Sequence, residues 1–79
     1  MTAEKLNELS EIVREMSDIK FDIETWEDSI QCSQLILTTK NHGRENVSVH
    51  PELFPIIKRF ALKQLNRRLN ELQKKFDEL

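Results

Sequence analysis

The stretch Leu9-Ser-Glu-Ile12-Val-Arg-Glu-Met16-Ser-Asp-Ile19-Lys-Phe-Asp-Ile23-Glu-Thr-Trp26-Glu-Asp-Ser-Ile30 decides the fold. Its apolar residues Leu9, Ile12, Met16, Ile19, Ile23, Trp26 and Ile30 alternate at spacings of three and four. That rhythm puts every one of them on a single narrow stripe of a helix, as in a coiled coil. The rhythm returns near the other end at Leu62, Leu65, Leu69, Leu72, Phe76 and Leu79. Two seamed helices joined by a polar middle predict a mainly α fold. Its expected form is an antiparallel two-helix coiled-coil hairpin with a short β-hairpin connection, oligomerising into a helical bundle.

Working outward, Thr2 fits an N-cap, with Glu4 in the first turn at the positive end of the helix dipole. Nothing breaks the pattern before Gln31, so the first helix is expected over residues 2–31. Residues 34–50 read as a β-hairpin. Leu35-Ile-Leu-Thr-Thr-Lys40 is rich in β-formers, Asn46-Val-Ser-Val-His50 alternates, and Asn41-His-Gly-Arg-Glu45 between them carries the one glycine of the chain. Two strands are too few to be stable alone in water, so they must lie on the helices or join strands of another copy. The second helix is expected over 51–79, opened by His50-Pro51-Glu52. Pro55 either marks its true first turn or bends it near the start. The antiparallel layers are Ile30 with Leu53, Trp26 with Ile57, Ile19 with Leu65, Ile12 with Leu72 and Leu9 with Phe76.

Seventy-nine residues allow one small domain, residues 1–79. With 38% hydrophobic and 33% charged residues the chain is too apolar for full disorder and light for an independent globule. Residues 1–30 carry nine acids against Lys5, Arg14 and Lys20. Residues 51–79 reverse the balance, with seven basic side chains against four acids. Opposite charges flanking two seams favour their pairing. Cys32 is alone, so no internal disulfide forms, and a reducing compartment is the default. The amino-terminal stretch from Met1 lacks a basic region followed by an apolar core, and no apolar run is long enough to span a bilayer. A cytoplasmic protein with no membrane partner is the expectation.

Self-association follows from the shortage of core. Ordering the backbone costs about 1–2 kcal/mol per residue. A fully buried large apolar side chain returns about 1.5–3 kcal/mol, and a lone hairpin leaves many half wet. Leu6, Val13, Phe21, Phe54, Ile56 and Phe60 have no home on the two seams and are assigned to an oligomer interface. A dimer packing two hairpins into a four-helix bundle is the simplest form, with a higher oligomer as the alternative.

Chemistry is sparse. His42 and His50 lie in or beside the hairpin, no nucleophile sits at a recognisable spacing, and neither helix holds a Glu-x-x-His element. Cys32 and the two histidines lack metal-ligand spacing. No catalytic residue, metal or cofactor is assigned, and an enzyme is not indicated. Arg59, Lys63 and Arg67 recur every four residues as a basic stripe that could follow phosphates. An ordinary charged face, pairing with acids of the first helix or of a neighbouring subunit, is the preferred reading, which disfavours nucleic acid. Lys40, Asn41, His42 and Arg44 surround Gly43. Several such turns converging in an oligomer could cradle a small anionic nucleotide, although turns are polar without any ligand.

This layout of seamed helix, Leu35–Lys40 strand, Asn46–His50 strand, Pro51-Glu52-Leu53 helix start and Leu-x-x-Leu ending resembles small helix–β-hairpin–helix proteins encoded by phages and prophages. The resemblance covers the whole chain. It implies an accessory factor that binds a host macromolecule in the host cytoplasm. Some small oligomeric phage proteins inhibit host defence, including sponges that sequester cyclic nucleotide signals. The layout also looks like a shortened prefoldin subunit, in which paired helices carry a hairpin platform. Prefoldin arms are longer and expose apolar tips. Here Leu79 follows Lys74, Lys75, Asp77 and Glu78 on an arm too short to grip a client.

Overall fold

The structure, a computed structural model, describes residues 2–79. Met1, where the amino-terminal stretch read above begins, lies outside them. The protein is mainly helical (69%), with two helices and one short antiparallel two-stranded hairpin. The order is α1 (Ala3–Asp28), β1 (Gln34–Thr39), β2 (Gly43–Ser48), a 3-10 turn (Pro51–Leu53) and α2 (Phe54–Glu78).

Thr2 caps α1 as expected, its Oγ1 accepting from Lys5 N–H at 3.2 Å. The helix ends three residues earlier than the pattern suggests. Ser29 turns extended (φ −70°, ψ 140°), and both its hydroxyl and its N–H donate to Trp26 O. A serine that satisfies the last carbonyls locally competes with continuation of the helix. The Lys58 ammonium completes the stop by donating to Glu27 O at 3.1 Å and Ser29 O at 2.9 Å, two carbonyls left open at a helix C-terminus. Ile30 therefore leaves the stripe and is 88% exposed, and its expected partner Leu53 is exposed too. The Ile30–Leu53 layer does not form.

The middle of the stripe packs, whereas Phe76, expected opposite Leu9, and Leu79 stay exposed near the carboxyl end. Met16, Ile19, Ile23 and Leu72 make the central cluster, with Ile12, Leu62, Leu65 and Leu69 packed against it. Leu72 alone is fully enclosed, at 1% exposure. The helices run antiparallel: Lys58 near the start of α2 reaches the end of α1, and Arg68 reaches Glu15 farther along. Pro55 sits in the first turn of α2, where its missing N–H costs nothing, so of its two readings the first holds. His50 caps the preceding 3-10 turn, Nδ1 accepting from Glu52 N–H at 3.2 Å.

The hairpin is shifted from expectation. Gly43, at φ 70°, closes a three-residue turn of Lys40, Asn41 and His42, so Arg44 and Glu45 belong to β2 while Val49 and His50 fall beyond it. Thr39 pins this turn, its Oγ1 accepting from His42 N–H at 2.9 Å and donating to Gly43 O at 3.1 Å. The register pairs Leu35 with Val47, Ile36 with Asn46 and Leu37 with Glu45. Neither strand brings a Cα within 8 Å of α1 or α2, so the hairpin projects from the helix pair rather than lying on it.

The shape records the consequence. The radius of gyration is 16.6 Å, whereas a compact domain of this length would have about 12 Å. The extents are 50 × 30 × 15 Å. A helix with its side chains is about 10–12 Å across, so the thinnest dimension leaves room for one helical layer.

Candidate functional site

Three candidate regions emerge from the sequence, and the structure keeps them apart. Lys40, Asn41 and His42 form the hairpin turn with Arg44 just beyond, all exposed at the tip of the projecting hairpin. The described cavities lie elsewhere, on the helices and beside the Phe54 linker, so within one copy these donors do not enclose a ligand. Cys32 is half-buried, its thiol donating to Gln34 O at 3.2 Å. Among the described residues no group of three or more His, Cys, Asp or Glu side chains could hold a metal ion.

Arg59, Lys63 and Arg67 are exposed on the side of α2 opposite Leu62, Leu65, Leu69 and Leu72. They face away from α1, so of the two expected pairings the one with the acidic helix of the same copy does not occur among the described residues. The ion pairs among the described residues belong to Arg68, which lies off the stripe and meets Glu15 at 3.0 Å and Glu71 at 3.4 Å. Hydrogen bonding and charge from Glu15 hold the Arg68 guanidinium above its usual range. What the Arg68 charge adds to stability is present through neutral pH and is lost as pH climbs through that raised value. Both side chains are well exposed, so the pair contributes little. Arg59 instead lies over the Phe60 ring, 5.9 Å from its centroid.

The six residues assigned to an oligomer interface divide. Phe54 is buried at 8% exposure beneath the linker, in a hollow shared with Cys32, Val49 and Pro51, so it has a home within one copy. Its position at the start of α2 places it under the chain that returns from the hairpin. Leu6, Val13, Phe21, Ile56 and Phe60 remain exposed. They do not form one patch. Val13 borders a groove between the helices with Met16, Lys20, Gln73 and Phe76, and Leu6 continues that side of α1 one heptad earlier. Phe21 lies on the back of α1, and Ile56 and Phe60 on the back of α2.

The two broad faces of the helix layer differ. The one bearing Leu6, Val13 and Phe76 is largely apolar. The other presents Glu8, Glu11 and Glu15 to Arg68 and Lys75 across a charged groove. These acids belong to a run the apolar pattern obscured: Glu4, Glu8, Glu11, Glu15, Asp18 and Asp22 repeat at four and three, a second stripe beside the first. Lys58, whose clamp ends α1, carried no sequence signal beyond its charge. No helix among the described residues is long and apolar enough to cross a membrane. Comparison of the chain with family models, with curated proteins and with solved structures found no match.

Proposed function

We propose that this chain is a non-enzymatic, self-associating helical-hairpin binding protein. Its two helices engage as a short coiled coil, and two copies bring their Leu6–Val13–Phe76 faces together as a four-helix bundle. One observation carries this reading. Among the described residues five large apolar side chains are buried and twelve are exposed, on a molecule one helix thick. A single layer shields each seam from one side only. The broad face bearing Val13 and Phe76, whose groove holds one charged side chain, Lys20, against the charged Glu8, Glu11, Glu15, Arg68 and Lys75 of the other, is the one that a second layer covers at the lower cost in charge. The role implied by the likeness to small phage-encoded proteins, binding a host macromolecule in the cytoplasm, falls to the surfaces left outside the bundle: Phe21 on one back, Ile56 and Phe60 on the other.

A second reading has its own observation. Arg59, Lys63 and Arg67 are free of the acidic helix and sit beside Phe60, a basic stripe with an aromatic side chain such as nucleic-acid contacts use. The turn residues Lys40, His42 and Arg44 would meet an anionic nucleotide only where several copies converge.

Native mass spectrometry of the protein purified from cells tests these together, reporting copy number and any retained ligand. Val13→Lys, on the apolar face, is expected to halve the assembled mass, and Glu11→Lys, on the charged face, to leave it unchanged. A Val13→Lys variant of unaltered mass removes the bundle. Retained nucleic acid moves the reading to the back of α2, and a retained nucleotide moves it to the turn.

A further inference from the structure

The free edge of β1 has the geometry to pair with itself. Val49 N–H donates to Ser33 O at 3.0 Å, one step beyond the strands and in the same register. Directly opposed residues in an antiparallel pair alternate between bonded and non-bonded positions, so this bond fixes the phase. Leu35, Leu37 and Thr39 turn their backbone groups inward to β2. Gln34, Ile36 and Thr38 turn theirs outward, onto an edge that neither helix covers.

The two edges of the hairpin are not alike. β1 is Gln34-Leu-Ile-Leu-Thr-Thr39, with no charge, no proline and no glycine, and Ile36 at its middle is 68% exposed. β2 is Gly43-Arg-Glu-Asn-Val-Ser48, with a charge of each sign near its start. Charged side chains are the ordinary guard on an exposed edge, and an unguarded one is a template for another strand. A two-stranded sheet on its own is also below the number that holds together in water.

We propose that a second copy of this chain covers that edge, β1 against β1 about a two-fold axis through Ile36. In this register Ile36 bonds Ile36 of the other copy, and Gln34 bonds Thr38, so every outward backbone group of β1 finds a complement. Leu35 of one copy then opposes Leu37 of the other at a non-bonded position, where side chains approach closest. The four-stranded sheet runs β2-β1-β1-β2 and gathers Leu35, Leu37 and Val47 of both copies on one face. Both ends of β1 are uncharged, so no like charges meet. The helix pairs then leave from opposite ends of the sheet. The same operation on β2 would set Glu45 against Val47 and Arg44 against Ser48, opposing charge to apolar and neutral groups.

This contact is separate from the helix face. Two different two-fold interfaces on one chain build an assembly of at least four copies. Ile36→Lys places like charges across the axis and is expected to halve the mass at sedimentation equilibrium. Asn46→Lys sets the same charge on the same sheet face beside the guarded edge and is expected to leave the mass unchanged. Combining Ile36→Lys with Val13→Lys is expected to give a monomer. Register is read by disulfide trapping in a Cys32→Ser background. A mixture of Leu35→Cys and Leu37→Cys chains is expected to cross-link at least tenfold more than either variant alone. An Ile36→Lys chain of unaltered mass overturns the contact while leaving the bundle standing. Equal trapping in the mixture and in either single variant overturns the register, and no trapping in the mixture overturns the contact itself.

Discussion

Lys58 holds the two helices together where the chain leaves one and later enters the other. Its ammonium satisfies two carbonyls at the negative end of α1, each bond charge-assisted. Lys58→Met keeps the apolar stem and removes both bonds. The expected loss is about 1–2 kcal/mol, read as a lower urea midpoint at unchanged slope. A midpoint within a few tenths of a kcal/mol of the parent would show the clamp to be incidental. Nothing in the sequence marks Lys58 apart from its six basic neighbours in residues 51–79, because its role depends on where α1 stops. Thr2 and Gly43 were legible for the opposite reason. Each acts on backbone within a few residues, so its chemistry and its place are read together.

At the scale of elements, the three-four rhythm located both helices and their mutual orientation, since burial on one stripe is a property of spacing alone. It could not locate the end of α1. Ile30 continues the spacing perfectly, yet Ser29 and Lys58 finish the helix before it. The stripe predicts where a residue would point if the helix persisted, and termination is decided by hydrogen bonds the stripe does not contain. The same limit hid the fate of the basic residues. Their period of four was plain, but which way it faces depends on the phase of α2 against α1. Leu72→Ala and Ile30→Ala separate the two situations. Truncating the enclosed leucine is expected to cost about 2–5 kcal/mol. The exposed isoleucine should cost under about 0.5 kcal/mol. Urea titrations followed by helical circular dichroism measure both, and comparable losses would place Ile30 back on the seam.

The whole molecule is a thin layer with a hairpin projecting beyond it, and its size against a compact domain states how little it encloses. Composition foretold this shortage of core, because 79 residues with 33% charge cannot bury two seams and a sheet at once. Composition did not reveal that the apolar surplus is spread over a broad face, two backs and a strand edge. Only the phase of each element distributes it so. Sedimentation equilibrium of the wild-type chain at micromolar concentration reads whether other copies cover this surface. A folded assembly of several copies of the 9.4 kDa chain is expected. A folded monomer of that mass, with a radius of gyration near 16.6 Å by X-ray scattering, would contradict it.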